Sequence, residues 1–221
     1  MILLIITVAG TAGGTGRTTT ALGLALAAGA AGHEAVVIDG DKQLGHFADQ
    51  ATTTMLAQAV FDERTAPPLR VLPMTVEDTE RWVTDRAPSE RVSIIDPTVT
   101  HQTPLFQHSD AVVVPMASDD FRTVRDLLPL RFRMVTEEVG TPLYVLVHSV
   151  NRHDQTRLGR DVQAVLEDEP VTVLDTQVPY STRFFRAMGS HVQVEDWLAL
   201  GEAFAPVWTE LSRRIATSTA R

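Results

Sequence analysis

Short runs of apolar, β-branched residues punctuate the chain, and the stretches between them carry apolar positions at helical rather than alternating spacing. Residues 2–8, 35–39, 69–73, 92–96, 111–115, 143–149 and 171–174 are predicted strands. They are apolar nearly throughout, as expected of strands covered on both faces of a parallel sheet. Helices are predicted over 17–30, 44–58, 76–86, 121–138, 155–168, 184–188 and 201–216. Strands alternating with helices predict an α/β fold, a doubly wound and mostly parallel sheet flanked by helices. A length of 221 residues fits one domain over 1–221, with no repeat or long linker, and the two prolines of 62–68 mark a loop.

Composition narrows the chemistry. Hydrophobic residues make up 44% and charged residues 21%, which is ordinary for a globular chain. With no cysteine, disulfides, thiolate zinc, a cysteine nucleophile and iron–sulfur ligation are all excluded. The apolar opening MILLIITVAG lacks a basic leader and a cleavage site and is too short to span a bilayer, so it reads as a buried strand. A net charge of −9 repels nucleic acid as a whole, so any contact with it needs a local basic face. Lys42 is the sole lysine among 19 basic residues. The seven histidines have no metal-like spacing and read as surface or supporting residues.

The chemistry concentrates after the first strand, in Gly10-Thr11-Ala12-Gly13-Gly14-Thr15-Gly16-Arg17-Thr18-Thr19. Glycines between a strand and a helix let consecutive N–H groups turn toward one point, and the helix N-terminus adds partial positive charge there. Four glycines in seven residues and a hydroxyl pair at the helix start mark a phosphate cradle rather than a merely tight turn. The pattern G-x-x-x-x-G-K-[ST] is not met, because Thr11 replaces its first glycine and Arg17 its lysine.

The segment resembles the variant loop K-G-G-x-G-K-[ST]-[ST] of the ParA/MinD family of P-loop ATPases, with both lysines replaced, by Ala12 and Arg17. Further landmarks follow in the family's order. Asp39-Gly40-Asp41-Lys42-Gln43 stands for D-x-D-P-Q, and Val92 to Asp96 for the Walker B strand. A strand ending at Pro115, a strand running into Asn151, and Val178-Pro179 followed by Ala187, Gly189 and Val192 complete the series. They span nearly the whole chain.

The resemblance implies a P-loop NTPase that takes ATP and Mg²⁺. Ala12, Gly13, Gly14, Thr15, Gly16, Arg17, Thr18 and Thr19 would bind the phosphates, and Asn151 and Pro179 would lie at the base. Thr18, Asp39 and Asp96 would serve Mg²⁺, and Asp41 would orient or deprotonate the attacking water, with Arg17 as the charge on the transferred phosphate. Each Asp alone could equally be a turn or cap residue. Lys42 is either a solvated loop charge or a replacement phosphate contact.

Within the family, lack of cysteine removes the nitrogenase iron protein type, and the sparse apolar content of 210–219 argues against a membrane-bound helix. With no helix-turn-helix extension before the first strand, the chain resembles the small ParA partition proteins. That branch implies a cytoplasmic, nucleoid-associated ATPase for plasmid or chromosome partitioning. It forms a homodimer on nucleotide binding, binds nonspecific DNA and is switched by a ParB-type partner. Candidate phosphate-backbone contacts are Arg152, Arg157, Arg160, Arg183, Arg186, Arg213 and Arg214, each of which could instead be a solvated helix charge. Two alternatives stay open: a degenerate, non-hydrolysing regulator or scaffold of the same fold, and a small-molecule synthetase of the dethiobiotin type, which the landmarks fit less well.

Overall fold

The computed structural model describes residues 4–10, 15–40, 69–85, 91–98, 100, 102–117, 139–150, 164, 166, 171–187 and 193–219. Its strands are β1 (Leu4–Val8), β2 (Glu34–Asp39), β3 (Arg70–Pro73), β4 (Arg91–Asp96), β5 (Ala111–Ala117), β6 (Leu143–Val150), β7 (Thr172–Val173) and β8 (Val178–Pro179). Its helices are α1 (Arg17–Ala30), α2 (Val76–Thr84), α3 (Thr103–Phe106), α4 (Thr182–Ala187) and α5 (Val194–Thr219).

All strand pairings among the described residues are parallel, in the order β3-β2-β4-β1-β5-β6-β7, with β8 pairing β6. From β1 the chain first builds outward to β2 and β3, inserts β4 beside β1, then crosses to the other side for β5 and β6. The order therefore reverses at the centre of the sheet, and the carboxyl ends of β1, β4 and β5 border the crevice where such sheets bind ligands.

Side chains alternate across the sheet with the strand period of two. Leu4, Ile6 and Val8 join Ile94, Val113 and Leu146 under α1 and α5. On the opposite face, Ile5, Val36, Ile38 and Ile95 pack with Val83 of α2 and Leu105 of α3, while Val112, Val114, Val145 and Val147 pack with Phe106. Burial on both faces is why these strands read as continuous apolar runs.

Helix α1 crosses α5 at close range. A Cβ on Gly23 would lie 2.4 Å from Cδ2 of Phe204, and one on Gly201 3.3 Å from Cβ of Leu26. The absent side chains let the backbones approach and seat Phe204, which is only 1% exposed.

The predicted helix over 17–30 matches α1 end to end, and the first six strands are found within a few residues of their predicted bounds. Three expectations are corrected. α5 begins at Val194 rather than 201 and continues through Pro206, which sits on the exposed side, where water can partner the carbonyl that loses its N–H. The helix predicted over 184–188 is Thr182–Ala187, tied to α5 by Trp197 Nε1 donating to the Ala187 carbonyl at 3.0 Å. β8 and α3 were not predicted. The predicted helices 44–58 and 121–138, nearly all of 155–168, and the loop 62–68 lie outside the described residues.

Candidate functional site

Residues 9–10 leave the carboxyl end of β1 and residues 15–16 lead into α1, so both ends of the glycine-rich segment lie at the sheet's crevice. Gly16, the residue before α1, has φ +84°, a left-handed conformation that a side chain strains. No side chain caps the helix and no acidic residue sits in its first turn. Leading N–H groups of a helix have no intrahelical partner, so an uncapped start without carboxylates is suited to an anion. Thr18 and Thr19 lie in this first turn, half-buried.

Three side chains hold the loop at its ends. The Gln102 amide forms two bonds with the backbone of Gly10: Gly10 N–H donates to Oε1 at 3.0 Å, and Nε2 donates to the Gly10 carbonyl at 3.1 Å. Gln102 is 3% exposed. Its amide satisfies both backbone groups just beyond the end of β1, as a neighbouring strand would.

Arg17 folds its stem over Gly10, where a Cβ would meet its Cδ at 2.8 Å, and its Nη1 donates to the Pro97 carbonyl at 2.5 Å. The guanidinium thus joins the head of α1 to the residue that follows Asp96. His148, near the end of β6, places Nε2 2.6 Å from the Thr15 carbonyl. A Cβ on Gly16 would come within 2.8 Å of its Cε1 and Nε2.

Asp39 and Asp96 end β2 and β4 and face each other in register, both almost fully buried. Gly40 N–H donates to the Asp96 carbonyl at 3.0 Å, which joins the two strand ends. No group of three or more His, Asp or Glu that could hold a metal occurs among the described residues. Two carboxylates and a threonine hydroxyl nevertheless suit Mg²⁺, which usually takes one or two carboxylates and completes its shell with water and substrate phosphates. The donor set and the uncapped helix together fit a magnesium–nucleotide.

Other candidates have other surroundings. Pro179 on β8 pairs with Val150 of β6, at the same end of the sheet as the loop. Arg183 and Arg213 are exposed. Arg186 is 3.3 Å from the buried carboxylate of Asp196. Arg214 binds Glu210 through Nε at 2.8 Å and Asp175 through Nη2 at 2.9 Å, while Glu210 also accepts the N–H groups of Asp175 and Thr176 at 3.0 and 2.8 Å. Arg214 therefore fastens the β7–β8 connection to α5. Burial opposes ionisation of Glu210, but the Asp175 and Thr176 N–H groups and Arg214 outweigh it and hold the carboxyl below the usual range.

Ala12, Gly13, Gly14, Asp41, Lys42, Asn151, Arg152, Arg157 and Arg160 lie outside the described residues. Sequence reasoning missed Gln102 as a loop residue and left His148 without a partner. Both bind backbone carbonyls, and a main-chain acceptor leaves no mark in the sequence.

Residues 6–194 match the family described as the CobQ/CobB/MinD/ParA nucleotide binding domain. No curated protein sequence matches the chain. Among solved structures, MinD in the MinC:MinD cell division complex of Aquifex aeolicus is 14% identical with a TM-score of 0.67, over 97% of this chain and 96% of that one. The pNOB8 ParA bound to nonspecific DNA is also 14% identical with a TM-score of 0.67, over 98% and 99% of the two chains. The MinD septum site-determining protein of Pyrococcus horikoshii, complexed with Mg-ADP, is 14% identical with a TM-score of 0.66, over 94% and 95%. At these identities the likeness establishes the shared fold. No described helix is long and apolar enough to cross a membrane.

Proposed function

This chain belongs to the CobQ/CobB/MinD/ParA nucleotide-binding family, and on that premise we propose that it is a ParA-type partition ATPase, working as one domain over 1–221. The observation that carries the reading is the left-handed Gly16 at the head of an uncapped α1, with the buried pair Asp39 and Asp96 at the same end of the sheet. The α1 amides and the loop from Ala12 to Thr19 bind the β- and γ-phosphates of ATP, and Asn151 and Pro179 lie at the base. Thr18, Asp39 and Asp96 hold Mg²⁺ directly or through water, and the ion would neutralise charge on the phosphate oxygens. Asp41 orients the attacking water and accepts its proton. Arg17 adds fixed positive charge beside the loop.

The finer reading is that nucleotide drives a homodimer that binds DNA without sequence preference and is released by a ParB-type partner, in the cytoplasm and on the nucleoid. The pNOB8 ParA, bound to nonspecific DNA, supports it by likeness of fold. Exposed Arg183 and Arg213 offer contacts, and so do Arg152, Arg157 and Arg160. Arg186 and Arg214, each paired with carboxylates, contribute less.

One observation favours a second reading, a nucleotide-binding regulator that hydrolyses little. Arg17 is engaged with the Pro97 carbonyl, and Ala12 cannot reach across a dimer to a partner's phosphate. Phosphate release with Mg²⁺-ATP, measured with and without duplex DNA, separates the two. Turnover that DNA stimulates supports the ATPase. Binding without turnover under both conditions supports the regulator.

A further inference from the structure

The loop's grip on a phosphate rests on main-chain amides, and amides bind well only when they are already aimed. What aims them here includes a side chain from a strand remote in sequence. His148 stands on β6 in register with Ala117 of β5 and Val178 of β8, so its backbone is fixed from both sides. From there its ring reaches the loop, with Nε2 2.6 Å from the Thr15 carbonyl. A carbonyl oxygen only accepts, so Nε2 carries the proton in this contact. The ring also lies against Gly16, where a Cβ would approach Cε1 and Nε2 to 2.8 Å. Gly16 is thus required twice, by its left-handed φ and by the imidazole packed on it.

We propose that His148 is a positioning residue of the nucleotide site, whose Nε2–H bond to Thr15 holds residues 15 and 16 in the shape that aims the α1 amides at a polyphosphate tail. The proposal rests on the reading that this loop takes a nucleotide. It goes further in naming a strand residue, outside the loop, that sets the affinity for the tail. Replacement of the lysines by Ala12 and Arg17 makes the loop more dependent on such bracing, because less charge remains to compensate for a misaimed amide.

The test uses the full chain with His148→Gln, whose amide N–H extends to about the same reach, and His148→Leu, which keeps bulk without a donor. His148→Asn, whose amide falls short of Thr15, joins them and takes the place of Leu if that variant fails to fold. The first readout is exchange of the Thr20 amide, which donates to the Gly16 carbonyl, in protein without nucleotide. The second is affinity for ATP against AMP, with Mg²⁺ present. Loss of one neutral hydrogen bond of about 1 kcal/mol corresponds to roughly a fivefold change. Leu or Asn should speed Thr20 exchange and weaken ATP about fivefold while changing AMP less than twofold, and Gln should restore both. Unchanged exchange, equal losses for ATP and AMP, or failure of Gln to rescue would overturn the proposal. If the wild-type chain binds neither nucleotide, the functional reading fails, and Thr20 exchange alone decides whether His148 shapes the loop.

Discussion

Gln102 pairs with Gly10 through both ends of its amide, at 3.0 and 3.1 Å, and so fixes the root of the glycine-rich loop to the segment that follows β4. Two buried backbone groups depend on that one side chain. Gln102→Ala should cost roughly 2 to 6 kcal/mol in urea unfolding, since each of the two buried groups left unpaired costs about 1 to 3 kcal/mol. Gln102→Glu should rescue little, because a carboxylate cannot donate to the Gly10 carbonyl. Full stability in the Ala variant would mean that the loop root is held by other contacts.

Arg17 carries the only loop cation, and its guanidinium is bonded to Pro97, next to Asp96. Arg17→Ala should weaken ATP binding by roughly 10- to 100-fold, the range of a charge-assisted hydrogen bond of about 1.5 to 3 kcal/mol. Arg17→Lys should retain most of the affinity, since its compact ammonium suits a phosphate cradle. Calorimetric titration of both variants checks this.

The fold should weaken in acid through Glu210. Its carboxyl is held below the usual range in the folded chain, so the stabilisation is fully present above the ordinary Glu pKa of about 4.3 and is lost as pH falls through the lowered folded value. Thermal melts from neutral pH downward should show a drop that Glu210→Gln flattens. Arg214→Ala should destabilise at neutral pH by roughly 3 kcal/mol, because it leaves a buried carboxylate without its counter-charge.

Gly23 allows α1 to meet Phe204, so Gly23→Leu should overpack the crossing and cost roughly 1 to 3 kcal/mol despite better helix propensity. Adding Phe204→Ala should recover part of that loss if the clash is the cause. Strictly additive losses in a double-mutant cycle would place the strain elsewhere.

If DNA binding is electrostatic, Arg183→Ala with Arg213→Ala should weaken it across sequences. The slope of log affinity against log salt should fall by about 0.9 for each phosphate contact removed. A salt-insensitive association would argue against the partition reading.

How much of this could be read from the sequence depended on whether a feature's cause was local. β1, β2, β4, β5 and β6 read as apolar runs because both faces of the sheet are covered there. The short edge strand β3 is apolar only at Val71 and Leu72, and α1 follows a cluster of glycines that marks its start, so all of these were legible. β8 has two residues, one of them Pro179, and α3 has four with Pro104 near its start, too short for any period to appear. The predicted start of α5 at Gly201 falls seven residues inside the observed helix, while its passage through Pro206 agrees with the prediction. In the fold, Gly201 lies against Leu26 on α1, and Pro206 lies on the exposed side. Asp39 and Asp96 were legible as strand ends, but their register across β2 and β4 was not. His148 and Gln102 reach the loop from 133 and 92 residues away, distances that only the closed sheet brings together.

The most direct measurement is a calorimetric titration of the intact chain with ATP in the presence and absence of Mg²⁺, repeated with Thr18→Ala. The account predicts one saturable site per chain, tighter with Mg²⁺, whose dependence on the ion is largely abolished in the variant. Absence of any binding at millimolar ATP, or binding that neither Mg²⁺ nor Thr18→Ala alters, would contradict it.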